Sequence, residues 1–150
     1  MTDLAADAIA EKIIIVGGFS NLNEYGAATA NPASMSASKP IITYAEFEKL
    51  DMRAGRIVAV EPFPAARKPA YQMTIDFGPD VGMKRSSAQI TSLYTPESLV
   101  GKVVLAVVNF APKRIADFTS EALVLGVADE SGNVVLLSPD FAVPIGGSVY

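Results

Sequence analysis

Three pairs of adjacent basic residues are the side chains of this sequence best suited to a chemical task. Each pair lies at a predicted strand boundary, where a long cationic side chain reaches solvent without disturbing a core. Arginine and lysine at such positions contact the phosphates of a nucleic-acid backbone. The alternative for each pair is a solvated surface charge. The pairs are Arg67-Lys68, Lys84-Arg85 and Lys113-Arg114.

The distribution of charge supports a local anion-binding face, although the chain is acidic. Its formal net charge is −4, with 12 basic and 16 acidic residues, which argues against coating nucleic acid through bulk positive charge. Between Arg53 and Arg114, however, nine basic residues stand against four acidic ones, and no basic residue follows Arg114. The basic charge is therefore concentrated in the middle of the chain.

Aromatic residues are interleaved with the basic pairs. Nucleobases stack on exposed rings for about 1–3 kcal/mol each, so exposed aromatic side chains would add to phosphate contacts. Phe77 and Phe110 end apolar strands and are expected in the core. The rings expected to be exposed are Tyr71, Tyr94 and Phe118.

The chain contains no cysteine and no histidine, which excludes several kinds of chemistry. Without cysteine there is no disulfide, no thiolate nucleophile and no cysteine-based metal site, and the reducing cytoplasm is the expected compartment. Without histidine the usual general base at neutral pH and the commonest metal ligand are missing. No pair of carboxylates stands in a motif with a water- or metal-holding partner. We therefore expect a protein that is not an enzyme, with no cofactor and no metal.

Short apolar segments separated by turns that contain proline and glycine predict a small all-β domain. Alternation of apolar and polar residues is clearest in YQMTIDF at 71–77, and ESGN at 130–133 predicts a hairpin turn. Five or so strands with small helices favour a closed barrel, for which the five-stranded OB-fold is the candidate. The predicted strands are 55–63, 71–77, 102–108, 122–128 and 134–137.

Capping residues predict two short helices. Thr43 and Glu46 have the spacing of a capping box, which opens a helix at the start of the domain. Thr95 followed by Pro96 predicts a second helical turn over 95–100.

Composition divides the chain near residue 40. Residues 20–40 are rich in serine, asparagine, alanine and glycine, a composition that buries little apolar surface. We therefore expect 1–40 to be an extension or disordered tail, with Met35 as a candidate translation start, and 41–150 to form the domain. No apolar run approaches the roughly 20 residues that span a bilayer, so no membrane insertion is expected.

Four segments carry a family resemblance: FEKLDMRAG at 47–55, IDFG at 75–78, KRSSAQIT at 84–91 and NFAPKRIADFTSEALVLG at 109–126. Together they resemble the CsaA family, within the wider group of tRNA-binding OB-fold modules that also occur on some methionyl- and phenylalanyl-tRNA synthetases. The resemblance implies a homodimeric OB-fold that contacts tRNA through basic surface. In the CsaA branch it implies an export-related chaperone for unfolded precursor proteins.

The resemblance and the basic pairs together predict an RNA-binding set. KRSS at 84–87 matches the family's third-strand segment, and Asn109 with PKR at 112–114 matches its NxxPxR-like segment. The pairs Ala88-Gln89 and Ala122-Leu123 stand where the wider group usually carries Ser-Gly and Gly-Met, which indicates the CsaA branch. The predicted RNA-binding residues are Arg67, Lys68, Lys84, Arg85, Ser87, Lys113 and Arg114.

Three polar residues of the matched segments also admit structural roles. The amide of Asn109 is suited to hydrogen-bond a turn backbone, and we favour that role. Ser120 and Glu121 match the serine and acid before the family's last apolar strand, where they can satisfy backbone donors instead of contacting a ligand.

Two functions from different classes follow. In the first, a homodimer is a non-enzymatic chaperone for unfolded or precursor proteins, with Phe110, Ile115 and Phe118 as candidates for protein or dimer contacts. In the second, the chain is a dedicated tRNA-binding protein that acts through its basic face without chaperone activity. Phosphate binding weakens with added salt, whereas apolar capture persists or strengthens. Dimer contacts are expected at edge strands and at 139–144.

Overall fold

The computed structural model describes residues 38–150, which contain nine strands and three short helices. The predictions that fall on residues 1–37, among them the tail and the start at Met35, lie outside the described residues. Within 38–150, no helix has the length and apolar character needed to traverse a bilayer.

The strands form a nearly closed antiparallel barrel. In chain order they are β1 (Met52–Pro62), β2 (Tyr71–Asp76), β3 (Met83–Ala88), β4 (Val103–Val107), β5 (Lys113–Ile115), β6 (Phe118–Ser120), β7 (Leu123–Val124), β8 (Gly126–Ala128) and β9 (Val134–Leu136). Five of them make one sheet in the order β3-β2-β1-β4-β7, and two hairpins, β5-β6 and β8-β9, complete the β-structure. This architecture confirms the predicted all-β OB-fold with small helices.

Alternation along the strands separates the inside of the barrel from the outside. On β2, Met73 and Ile75 are buried, whereas Gln72 and Thr74 between them are partly exposed. Ile57 of β1 is fully buried in the same core as these two β2 residues. Each such aliphatic side chain stabilises the fold by about 1.5–3 kcal/mol when it leaves water.

The barrel closes where β3 approaches the start of β7. The hydroxyl of Ser86, itself fully buried, donates to the carbonyl oxygen of Ala122 at 2.8 Å. The backbone N–H of Glu121 donates to the carbonyl oxygen of Arg85 at 2.7 Å. These bonds join two strands that are not neighbours in the sheet, so they hold the barrel shut.

The first half of β1 has a hydrogen-bonded neighbour on each side. Met52 through Arg56 pair with β4. On the other side the chain near its end runs alongside: the N–H of Ala54 donates to Gly147 at 2.9 Å, and the N–H of Val149 donates to Met52 at 2.8 Å. The Arg53 guanidinium also donates to the Gly146 carbonyl oxygen at 3.0 Å.

Three short helices occur at the predicted capping residues and at one further turn: α1 (Tyr44–Glu48), α2 (Gly78–Val81) and α3 (Pro96–Leu99). Thr43 and Glu46 form the predicted capping box at the start of α1. The Thr95 hydroxyl accepts from the N–H of Ser98 at 3.1 Å, which caps α3 as predicted. Leu99 at the end of α3 is fully buried in the barrel core.

Three features depart from the predicted strands. The structure contains β3 and the β5-β6 hairpin, which the pattern of apolar residues did not predict. The predicted strand at 122–128 is divided into β7 and β8. Leu125 separates these two strands: its N–H donates to Leu105 at 2.9 Å, and its carbonyl oxygen accepts from Leu137 at 3.1 Å. The predicted hairpin after residue 128 is confirmed as β8-β9.

Candidate nucleic-acid interface

A second buried cluster lies apart from the barrel core. Phe63 and Ala70 are the first and last residues of the β1–β2 loop, which spans residues 63–70, and Phe118 comes from β6. Ala66 and Ile115 pack against these three, and we call the five residues the outer cluster. The cluster fastens the β1–β2 loop to the β5-β6 hairpin, so the basic residues of both segments are held close to β3.

Arg85 connects the outer cluster to the barrel wall. Its guanidinium carbon lies 4.3 Å from the centroid of the Phe118 ring, and its Nη2 donates to the Gln72 side-chain oxygen at 3.3 Å. Arg85 of β3 is paired with Thr74 of β2, and both lie on the face of the sheet that also carries Gln72. The Arg85 side chain is exposed. This exposed basic residue is therefore held in place by two neighbours.

The side chains of Lys84 and Arg85 lie on opposite faces of β3. Successive side chains of a strand point to opposite faces. Lys84 is paired with the fully buried Ile75, so it lies on the core side of β3, whereas Arg85 lies on the outer side. The structure does not bring Lys84 to the same face as Arg85.

The side chains of Lys113 and Arg114 likewise lie on opposite faces of the β5-β6 hairpin. Lys113 is paired with the buried Ser120, and Arg114 with the exposed Thr119. Arg114 is exposed and its Nε donates to the carbonyl oxygen of Ala116 at 2.9 Å, within the hairpin turn. Arg114 is therefore the basic residue that this hairpin presents to solvent.

Arg67 and Lys68 lie in the β1–β2 loop and are both exposed. The loop is closed by the N–H of Phe63, which donates to the Ala70 carbonyl oxygen at 3.0 Å, and by the N–H of Ala66, which donates to Phe63 at 3.2 Å. A loop with its own hydrogen bonds and a buried aromatic anchor has a defined position, so its basic pair is presented in a fixed region.

Two predicted site residues are buried instead of exposed. The expectation that the Phe118 ring is exposed is wrong: it is 1% exposed, because it lies between Phe63, at 5.3 Å between ring centroids, and Arg85. Ser87 is 3% exposed, so its hydroxyl does not lie at the surface where a phosphate would bind. Ile115 is half-buried in the outer cluster and is not a free apolar contact.

The other aromatic predictions also change. Tyr71 and Tyr94 are not exposed rings but half-buried ones with structural hydrogen bonds: the Tyr71 hydroxyl donates to the Tyr94 carbonyl oxygen at 2.9 Å, and the Tyr94 hydroxyl accepts from the N–H of Leu136 at 3.0 Å. Phe77 is in the core as predicted, whereas Phe110 is half-buried and outside it.

Asn109 has the structural role favoured from the sequence. Its amide nitrogen donates to the Lys49 carbonyl oxygen at 2.8 Å, and its amide oxygen accepts from the N–H of Asp51 at 3.0 Å. One side chain thus ties the end of β4 to the turn between α1 and β1.

Sequence reasoning missed Gln72 and Phe63 as parts of the interface. The alternation of YQMTID places Gln72 on the outer face of β2, which was the available signal for it. Phe63 gives no such signal, because its role depends on the approach of Phe118 from a distant part of the chain. Among residues 38–150, no group of three or more acidic side chains is placed to hold a metal ion.

The three basic segments lie on the elements through which OB-folds contact oligonucleotides. These are the outer face of the second and third strands and the loops after the first and fourth barrel strands. In this chain they are the β2-β3 face with Arg85, the β1–β2 loop with Arg67 and Lys68, and the β5-β6 hairpin with Arg114.

Comparisons with known proteins identify the family. Residues 52–148 match the family described as "Putative tRNA binding domain". The crystal structure of the chaperone CsaA from Bacillus anthracis is 49% identical, with a TM-score of 0.70, over 74% of this chain and 100% of that one. The CsaA chaperone protein from Picrophilus torridus is 48% identical, also with a TM-score of 0.70, over 73% of this chain and 100% of that one. The chain belongs to the CsaA family.

The chain is also similar to one domain of much larger proteins. The methionine–tRNA ligase of Chloroherpeton thalassium is 35% identical over 102 residues, which are 68% of this chain and 14% of the ligase. This chain therefore spans only a small part of that relative, and the shared part is the tRNA-binding domain. The family match at 52–148 includes Arg67, Lys68, Arg85 and Arg114 of the candidate interface.

Proposed function

We propose that this chain is a homodimeric, cytoplasmic OB-fold protein that binds tRNA and is not an enzyme. The observation that carries the proposal is the convergence of basic residues from the β1–β2 loop, β3 and the β5-β6 hairpin around the outer cluster. OB-folds contact oligonucleotides through these same elements. Membership of the CsaA family, within the tRNA-binding domain group, supports the same function.

The interface suits a folded RNA better than a long single strand. Arg67, Arg85 and Arg114 are exposed and come from three separate segments, so their charges are distributed over three elements of the fold. Proteins that recognise structured RNA do so mainly through its shape and its phosphates. The proposed contacts are therefore contacts between arginine side chains and tRNA phosphates.

The first experiment is a titration of the purified chain with fluorescently labelled bulk tRNA, followed by anisotropy at salt concentrations from about 50 to 200 mM. Three or more phosphate contacts predict an affinity that falls at least tenfold over this range, because bound counterions are released. Absence of binding at the low-salt end would overturn the proposal.

Charge-reversal variants locate the binding face. The double variant Arg85→Glu with Arg114→Glu should lose at least tenfold in tRNA affinity at low salt. The matched control is Lys39→Glu with Lys49→Glu, which changes the net charge equally at two exposed residues that precede the barrel and lie outside the three basic segments. We expect the control to lose less than about threefold. Equal losses in the two variants would mean that net charge, not this face, determines binding.

A second candidate function is the chaperoning of unfolded or precursor proteins. It is supported by the names of the two CsaA structures and by exposed apolar side chains on the β8-β9 hairpin. Val127 and Val135 are directly paired across that hairpin and are 52% and 41% exposed, and the nearby segment carries Phe141, which is 82% exposed. These residues replace Ile115 and Phe118 as the candidate surface for apolar segments.

Light scattering from an aggregating, denatured test protein measures this second activity. The chain should delay aggregation at 200 mM salt, where phosphate contacts are weakened and apolar contacts are not. Val127→Thr with Val135→Thr keeps the β-branched shape and should reduce the delay. No delay by the wild-type chain would leave tRNA binding as the single proposed function.

The homodimer is tested by gel filtration with light scattering at micromolar concentration. We expect the mass of two chains. A monomer mass at that concentration would contradict the dimer without affecting the proposed tRNA contacts, since the three basic segments all belong to one chain.

A further inference from the structure

Three side chains form a column that leads from the outer cluster to solvent. Phe63 is the inner layer, and its ring centroid lies 5.3 Å from that of Phe118. Phe118 is the middle layer and is almost completely buried. The Arg85 guanidinium is the outer layer, 4.3 Å from the Phe118 centroid. The column thus ends in an exposed, planar cation.

The position of Arg85 is not explained by charge pairing. Within residues 38–150, no carboxylate lies within ion-pair distance of its guanidinium. The carboxylate of Glu121 accepts from the backbone N–H of Arg85 and not from its side chain. The contacts that hold the guanidinium are the aromatic ring beneath it and the Gln72 side-chain oxygen at its edge, at 3.3 Å.

These two contacts restrain the guanidinium before any ligand binds. The Phe118 ring holds the guanidinium carbon above it, and the hydrogen bond at one nitrogen limits rotation of the group. A side chain already ordered in the free protein loses less conformational entropy on binding than a free arginine. The outer face of the guanidinium remains available, because Arg85 is exposed.

A flat, weakly hydrated cation over an aromatic ring is a surface on which another flat group stacks. Arginine planes stack on aromatic systems, and proteins that read RNA stack unpaired bases on aromatic rings or on guanidinium planes. Phe118 is too deeply buried to receive a base directly. Arg85 therefore provides an exposed stacking surface above the buried ring.

We propose that the outer face of the Arg85 guanidinium is a stacking site for one unpaired nucleobase of the bound RNA. This inference rests on the proposed tRNA binding and assigns to Arg85 a role different from that of Arg67 and Arg114. Those two residues contact phosphates as charges. Arg85 contacts a base through its plane, so lysine does not replace it.

The test exchanges arginine for lysine at two positions of equal charge. Arg85→Lys should lose about tenfold in tRNA affinity at fixed salt, the size expected for one stacked base, with an unchanged slope of affinity against salt. The matched control Arg114→Lys should lose less than about threefold. Equal, small losses at both positions would overturn the stacking role and leave Arg85 as an ordinary phosphate contact.

A second measurement observes the stacked base directly. An RNA hairpin with 2-aminopurine in its loop is titrated with wild-type protein, with Arg85→Lys and with Arg114→Lys at saturating concentrations. Stacking should reduce the 2-aminopurine fluorescence with the wild-type protein and with Arg114→Lys, but not with Arg85→Lys. An identical signal from all three proteins would overturn the inference. Failure of the wild-type chain to bind any tRNA would instead overturn the proposed function, so the two failures are distinguishable.

Discussion

Arg85 and Glu121 hold each other through a reciprocal pair of hydrogen bonds. The N–H of Arg85 donates to a carboxylate oxygen of Glu121 at 3.0 Å, and the N–H of Glu121 donates to the Arg85 carbonyl oxygen at 2.7 Å. Of the two roles left open for Glu121, the structure thus supports the satisfaction of a backbone donor. The backbone of Arg85 therefore helps to close the barrel, while its guanidinium lies over Phe118 in the candidate interface.

Substitution of Glu121 separates its structural role from its charge. Glu121→Ala removes the acceptor and should lower the free energy of unfolding by about 1 kcal/mol. Glu121→Gln keeps an oxygen acceptor and should lose less, while its lost negative charge should raise tRNA affinity. Urea unfolding at one protein concentration and anisotropy measure the two effects. Weaker tRNA binding by Glu121→Gln would contradict the position of Glu121 beside the basic face.

Lys84 and Arg85 are adjacent in sequence but should contribute unequally to binding. Lys84→Glu should reduce tRNA affinity less than about threefold, because its side chain lies on the core side of β3. Arg85→Glu should reduce it at least tenfold. Anisotropy at one fixed salt concentration compares the two variants, each of which changes the charge by the same amount. A larger loss for Lys84→Glu would contradict the assignment of Arg85 as the residue of this pair that faces the RNA.

The sequence predicted the barrel better than the interface, for identifiable reasons. Met73 and Ile75 alternate with polar residues and predicted β2 directly. β3 has no such alternation, because the residues it turns inward are the small Ser86 and Ala88, so only the family resemblance indicated that strand. The fold class depends on apolar periodicity, which most strands of this chain display.

The contacts of the interface could not be predicted from short segments of the sequence. Phe118 looked like an exposed ring because polar residues surround it in the sequence, and its burial requires Phe63, which comes from another segment. The β5-β6 hairpin carries neither glycine nor asparagine in its turn, so the usual turn signal was missing. Pairs of basic residues also looked like units, whereas strand geometry sends their members to opposite faces.

The hairpin turn at Ala116 predicts a stabilising substitution. Ala116 has a φ of 53° in the left-handed region, which costs an L-residue about 1–2 kcal/mol. Ala116→Gly should therefore raise the free energy of unfolding by about 0.5–1 kcal/mol, after the entropy cost of glycine is subtracted. The control Ala111→Gly lies in the preceding loop at negative φ and should not stabilise. Urea unfolding of both variants decides, and equal effects would contradict the strain at Ala116.

The turn between β8 and β9 should depend on pH through Asp129. The backbone N–H of Asn133 lowers the pKa of the Asp129 carboxyl below its ordinary value of about 3.9, against an opposing effect of desolvation and together with the N–H of Ser131. A lowered pKa means that the carboxylate stabilises the turn above pH 4 and that this contribution is lost as the pH falls through the lowered pKa.

NMR of the amides of Ser131 and Asn133 follows this titration. Their shifts should change with a midpoint below pH 3.9, and Asp129→Asn should remove the transition. A midpoint at or above the ordinary aspartate value would show that the two hydrogen bonds do not favour the charged form.

Gly146 and Gly101 form a matched pair of glycine positions. Both have a φ of 92°, but a Cβ at Gly146 would overlap the Phe77 carbonyl oxygen, whereas one at Gly101 meets nothing within 4 Å. Gly101→Ala should cost about 1–2 kcal/mol for its backbone conformation alone. Gly146→Ala should cost clearly more, because the segment beside β1 must move. Thermal and urea unfolding compare the variants, and equal costs would mean that this segment yields without loss.

The pairing of β1 with residues 146–149 has a consequence for how the protein is made. Arg53 and the carbonyl oxygen it contacts on Gly146 are 93 positions apart, so a ribosome synthesises one side of this contact long before the other. Until then the first half of β1 has an open edge, and contacts between distant positions form slowly. A nascent chain halted before residue 146 should therefore remain sensitive to proteases at β1, and resistance should rise once residues 146–149 have left the ribosome.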